Sequence, residues 1–79
     1  MTDQEILAGL AEIIDEVAGV PADDVMPEKN FVEDLDIDSL SMVEIAVAAQ
    51  DKFGVEIPDE QLKDLKTVQD VITYVSKNV

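Results

Sequence analysis

The chain has 79 residues, 47% of them hydrophobic, and a formal net charge of -14 from 19 acids against five basic residues, all lysine. That length suits one small core, and the apolar fraction is too high for a disordered acidic tail. The charge argues against nucleic acid and anionic membranes as partners, since both need basic patches. With no His, Cys, Arg or Trp, the chain also lacks thiolate, imidazole and disulfide chemistry.

In chain order, residues 3 to 18 are predicted to be a helix. Ile6, Leu7, Leu10, Ile13, Ile14 and Val17 recur at three- and four-residue spacing and so share one face. Thr2 or Asp3 serves as its N-cap. Gly19, with Pro21 just beyond, stops it. Residues 19 to 37 show no sustained period and form a long connection, a feature that in a small domain is often functional. Val25, Phe31 and Leu35 are its expected anchors into the core.

A second helix is expected from about Ser39 to Phe53, capped by Asp38 and ended by Gly54. Val55 to Pro58 reads as extended, and Asp59 to Leu65 as a short helical turn with Leu62 and Leu65 inward. Thr67-Val68-Gln69-Asp70 is a capping-box variant, with Asp where Glu or Gln is usual. It opens a last helix that buries Val68, Val71, Ile72 and Val75. The fold class is therefore all-α, a small bundle of three main helices plus one short one, with a long loop between the first two. Aromatics are few (Phe31, Phe53, Tyr74), so the core must be aliphatic. No repeat or linker divides the chain, and residues 1–79 read as a single domain.

The second helix has two apolar faces. At about 100° per residue, Met42, Ile45, Ala46, Ala49 and Phe53 fall on one side and Leu40, Val43 and Val47 nearly opposite. A bundle helix needs only one buried stripe. The second stripe, edged by Glu44 and Asp51 with Asp38 at its entrance, has the anatomy of a docking surface: apolar contacts for affinity and charges for steering. The bland alternative is scattered apolar surface, which is common.

Asp38-Ser39-Leu40 stands where the acidic loop gives way to this helix. By itself the tripeptide says little, because Ser and Asp are favoured at helix starts for capping. Taken together, Phe31, Asp34-Leu35, Asp38-Ser39-Leu40, Val43-Glu44, Phe53-Gly54 and Ile57-Pro58 resemble the acyl carrier protein family, over essentially the whole chain. The resemblance implies that Ser39 carries a 4'-phosphopantetheine arm, transferred from coenzyme A, whose thiol holds acyl groups as thioesters. A helix N-terminus, with free N–H groups and a positive dipole end, suits a phosphate there.

By the same resemblance Asp38 helps present the serine, and Leu40, Val43, Glu44, Val47 and Asp51 are read by partner enzymes. Those partners are a phosphopantetheinyl transferase and the malonyl transferase, ketosynthase, ketoreductase, dehydratase and enoyl reductase of a dissociated fatty-acid synthase. The implied protein is a cytoplasmic monomer without catalysis of its own. Asp36-Ile37-Asp38 precedes the serine where peptide-synthetase carriers show a Gly-Gly pair, which disfavours that branch; a polyketide carrier is the alternative within the family. In this reading Ala46 and Ala49 leave room for an alkyl chain, the competing account being close helix packing.

Rivals of other classes are weaker. Asp34, Asp36 and Asp38 match positions one, three and five of an EF-hand loop. Ser39 replaces its glycine and Ile45 its closing glutamate, so no metal site is assigned. An acidic interaction protein fits the charge and leaves the serine unexplained. An enzyme built on paired carboxylates would have to work without His, Cys or Arg, in a chain small for enclosing a substrate.

Overall fold

A computed structural model describes residues 2–78. Among them are four α-helices: α1 (Asp3–Ala18), α2 (Ser39–Phe53), α3 (Asp59–Leu62) and α4 (Val68–Asn78), with a 3-10 turn at Ala22–Asp24. The all-α bundle expected from periodicity is present. α1 starts in a capping box. Thr2 Oγ1 accepts the Glu5 N–H at 3.2 Å, and Glu5 Oε1 accepts the Thr2 N–H at 3.4 Å. α1 and α2 end at Gly19 and Gly54, left-handed at φ 72° and 69°, where glycine has no Cβ penalty.

The core is aliphatic around Phe31, with Ile6, Leu10, Ile14, Ile37, Ile72, Val68 and Val75 essentially sealed from solvent. Among the described residues no polar or charged side chain is buried, so the 19 acids all lie on the outside. This is the arrangement that avoids the desolvation cost of buried charge. No helix among the described residues is long and apolar enough to cross a membrane.

The long connection is not a bare loop. Val25, Phe31 and Leu35 anchor it, as expected, and Ile37 is a fourth anchor that periodicity did not supply. Asn30 organises its tip. Its Oδ1 accepts the N–H groups of Val32 and Glu33, both at 3.0 Å, while Asp34 Oδ2 accepts the Asn30 N–H at 2.7 Å.

The same stretch is then stitched to the start of α4. The Phe31 N–H donates to the Lys66 carbonyl, the Val68 N–H to the Lys29 carbonyl and the Gln69 N–H to the Pro27 carbonyl, at 2.9–3.0 Å. The N–H groups of Val68 and Gln69, two of the four that a helix start leaves without intrahelical partners, thus end on carbonyls of this loop. The expected capping-box variant closes the same corner: Thr67 Oγ1 accepts the Asp70 N–H, and Asp70 Oδ2 accepts the Thr67 and Lys66 N–H groups, all at 3.1 Å.

α3 is shorter than the expected span to Leu65. Helix ends at Leu62, and a turn carries Leu65 into the core while Leu62 is half-buried. Before it, Val55 and Ile57 alternate inward from an extended segment. Two side chains fasten that segment: Gln50 Oε1 accepts the Ile57 N–H at 3.1 Å, and Tyr74 Oη donates to the Glu56 carbonyl at 3.1 Å.

Candidate functional site

Ser39 is the first residue of α2 and is exposed. The question raised by the sequence is whether its hydroxyl caps the helix or stands free. The cap is Asp38. With extended backbone at φ -83°, ψ 173°, Asp38 accepts the Ser41 N–H through Oδ1 at 2.8 Å. That backbone hydrogen bond, with a further one from the Ser41 hydroxyl, holds the Asp38 carboxyl below its ordinary value of 3.8. Asp38 therefore engages Ser41, not Ser39. Among the described residues the Ser39 hydroxyl makes no hydrogen bond. The residue is exposed at the positive end of α2, where a phosphodiester is favoured by the helix dipole.

The approach to Ser39 is rigid on its loop side. Ile37, two residues before it, is buried, and its N–H donates to the Phe31 carbonyl at 2.8 Å. Between the buried Leu35 and Ile37, Asp36 takes the left-handed conformation at φ 55°, one that Asp tolerates better than most residues. Asp38 thus fixes where the helix begins.

The second stripe of α2 is uncovered. Leu40 is 77% exposed, Val43 42% and Val47 58%. Val43, Glu44, Val47 and Asp51 line one open groove along the helix, joined by Ala48 and Gln50. All five expected docking residues lie on one side of α2, with Leu40 nearest the serine. Ala48 and Gln50 were not anticipated there, because neither is apolar enough to extend the stripe.

On the other side Ala46 and Ala49 are buried. Neither lines the depression that does open beside α2. That cleft, about 360 Å³, lies at Met42 and is bounded by Phe31, Leu62 and Leu65 together with Lys63 and Lys66. Ala46 and Ala49 belong to the packed core, and the cleft opens one turn closer to Ser39.

Asp34, Asp36 and Asp38 do not converge. Asp34 turns to the Asn30 N–H and Asp38 to Ser41. Among the described residues no three His, Cys, Asp or Glu side chains are grouped so as to hold a metal ion.

The family model described as "Phosphopantetheine attachment site" matches residues 8–75. The chain is 82% identical over 76 residues to the acyl carrier protein of Thermobifida fusca, covering 96% of each. It is 62% identical to that of Acidothermus cellulolyticus, over 96% of this chain and 90% of the relative. To the meromycolate extension acyl carrier protein of Mycolicibacterium smegmatis it is 64% identical, over 96% of this chain and 77% of that one. Among solved structures, the acyl carrier protein of Enterococcus faecalis superposes with a TM-score of 0.81 at 35% identity, over all of both chains.

Proposed function

The chain belongs to the acyl carrier protein family, and from that premise we propose that Ser39 is the residue that takes its prosthetic arm. The chain is a carrier and not an enzyme. Its cofactor is 4'-phosphopantetheine, covalently attached, which supplies the thiol on which acyl groups travel as thioesters. Nothing else in the chain offers a thiol, since it contains no cysteine.

The observation that carries the assignment is the division of labour at the start of α2. Asp38 caps through Ser41, and the Ser39 hydroxyl is exposed and uncommitted. Ser39 offers a hydroxyl on an exposed residue at a helix N-terminus, whose free N–H groups favour a phosphate. The buried Ile37 and the Asp38 cap fix the backbone on which Ser39 is carried. The apolar cleft at Met42, one helical turn along, gives a tethered chain a place to leave water.

Acyl carriers work with fatty-acid synthase enzymes and a phosphopantetheinyl transferase. For this chain the specific partners are read as the transferase, malonyl transferase, ketosynthase, ketoreductase, dehydratase and enoyl reductase of a dissociated cytoplasmic synthase. They dock on Leu40, Val43, Glu44, Val47 and Asp51, with residues 1–79 acting as one monomeric carrier domain. Fatty rather than polyketide cargo is favoured because several relatives bear the name meromycolate extension acyl carrier protein.

The test is intact-mass analysis after incubation with coenzyme A and a promiscuous transferase. One phosphopantetheine should be added to the parent chain and to Ser41→Ala, and none to Ser39→Ala. An addition that survives Ser39→Ala overturns the assignment.

A further inference from the structure

The cleft beside Met42 has an apolar floor and one polar side chain held rigidly at its edge. Phe31, Met42 and Leu65 are buried beneath it, and residues 30–33 of the long connection border it. Along that stretch every backbone N–H is already bonded. Asn30 donates to Asp34 Oδ2 at 2.7 Å and Phe31 to the Lys66 carbonyl at 3.0 Å. Val32 and Glu33 both donate to Asn30 Oδ1 at 3.0 Å.

The last two bonds fix the Asn30 carboxamide. Two N–H groups converge on one of its atoms, so that atom is the oxygen and the NH2 occupies the other branch of the group. The Asn30 Nδ2 has no acceptor among the described residues. Asn30 is half-buried, and no sealed side-chain nitrogen or oxygen is left unpaired, so its amide hydrogens meet water. The result is a donor on a short, fixed stem beside apolar surface. Lys63 and Lys66 also border the cleft, but their ammonium groups end long flexible stems on exposed residues and keep their hydration.

We infer that Asn30 is a specificity-determining residue for the cargo: its Nδ2 donates to an oxygen on the acyl chain seated in the cleft, and so favours 3-oxoacyl chains over saturated ones. This rests on Ser39 being the attachment residue. The occupant is the carrier's own load, tethered about one helical turn from Met42, at an effective concentration that a free lipid does not reach. A saturated chain entering the cleft covers the amide N–H without offering an acceptor, and a donor cut off from water and left unpaired is costly. A 3-oxo chain buries nearly the same carbons and satisfies the donor. Sites built around a polar group reject analogues lacking the matching oxygen for this reason. Condensation leaves an oxygen on the third carbon, and the later reductions and dehydration remove it. Asn30 therefore holds a fresh condensation product more firmly than a finished chain.

The experiment loads hexanoyl and 3-oxohexanoyl groups onto the parent chain and Asn30→Asp from their coenzyme A thioesters, using a promiscuous transferase, with intact mass confirming one group per chain. Nuclear magnetic resonance then follows the Asn30 side-chain NH2 signals, assigned by their loss in Asn30→Asp, and the methyl groups of Met42 and Leu65, which report the seated fraction. The 3-oxohexanoyl group should move the Asn30 NH2 signals downfield of their position in the parent carrying the bare arm, and the hexanoyl group should not. In the parent, the seated-to-free ratio for 3-oxohexanoyl should exceed that for hexanoyl about threefold to tenfold, the range one neutral hydrogen bond supplies. In Asn30→Asp the preference should vanish or reverse, because a carboxylate cannot donate to a ketone.

Asn30→Asp keeps the Oδ1 acceptor, so the Val32 and Glu33 amides should stay protected. If they do not, the NH2 signals of the parent decide the matter without any substitution. Signals that respond alike to both chains place the donor on the thioester or the arm, which both share, and overturn the inference. Signals that respond to neither, or an Asn30→Asp chain with intact loop protection that keeps the parent's preference, overturn it too. All three leave Ser39 as the attachment residue. A parent chain that accepts no group at all removes both.

Discussion

The Phe53 ring occupies the space that a side chain at position 9 would need. A Cβ built on Gly9 lies 2.7 Å from Phe53 Cζ and 2.9 Å from its Cε1. Gly9 is buried on α1, and Phe53 is the last residue of α2. The missing side chain is what lets the ring pack across α1, beside the Lys52–Glu12 ion pair.

Gly9→Ala therefore brings two opposed effects. Helix propensity gains up to about 1 kcal/mol, while overpacking a filled core costs about 1–3 kcal/mol. The ring is buried among aliphatic neighbours, so the cost prevails. A net loss near 1 kcal/mol lowers the melting temperature by roughly 4–8 °C in a domain of this size. In a Phe53→Leu background the obstruction is gone, and the same substitution should raise the melting temperature. A thermal double-mutant cycle in which Gly9→Ala behaves alike in both backgrounds would show that the contact is not the cause.

Little of this contact was legible in the sequence, and the reason is physical. The helices, caps and core stripes were readable because each is written locally, in periods of three and four residues and in cap residues such as Thr2, Asp38 and Gly54. A glycine inside a helical pattern carries no local sign of a ring 44 positions away. The stitching of Pro27, Lys29 and Phe31 to Lys66, Val68 and Gln69 is backbone to backbone and has no side-chain signature. Ile37 was hidden as a lone apolar residue between two acids. At the candidate site, the helix start at Ser39 and the second apolar stripe of α2 were readable from one helix, and the stripe is exposed.

Asp38 supplies a pH-dependent test of the cap. Its carboxyl is held below the ordinary 3.8 by the Ser41 backbone and hydroxyl hydrogen bonds. The folded-state value is depressed, so the stabilisation is present in full above the unfolded value and lost as pH falls through the folded one. Asp38→Ala should melt below the parent chain at neutral pH. The gap should hold steady down to about pH 4 and close below 3.8. A gap of constant size into strong acid would mean that the carboxylate charge contributes nothing. The absolute melting temperatures will move for another reason, since protonating many surface carboxylates relieves self-repulsion. Only the difference reports on the cap.

Gln50 ties α2 to the segment that leads into α3. Its Oε1 is the partner found for the part-buried Ile57 N–H. Gln50→Ala leaves that donor without an acceptor and should cost about 1–2 kcal/mol. Hydrogen exchange localises the effect: the Ile57 amide should exchange faster, while Ile14 in α1 should change only by the global loss of stability. Gln50→Glu keeps the acceptor and should retain protection at Ile57. Equal protection in Gln50→Ala and the parent chain would assign the fastening to Tyr74 and Glu56 alone.

The proposed docking role of the α2 face can be tested apart from folding, because its apolar residues are exposed. Leu40 is 77% exposed, so Leu40→Ala removes almost no buried area and should change the melting temperature by no more than surface substitutions usually do, within about 0.5 kcal/mol. Glu44→Lys likewise alters an exposed position. Both should nevertheless weaken binding to partner enzymes. Leu40→Ala should act mainly on dissociation and be insensitive to salt. Glu44→Lys should act mainly on association and fade as ionic strength rises, since a Debye length of about 10 Å at 0.1 M screens exposed charges. Stopped-flow association with a single condensing enzyme at two salt concentrations distinguishes the two. Identical salt dependence for both variants would mean that apolar contact and charge are not divided between these residues, and that the groove acts only through its overall negative potential.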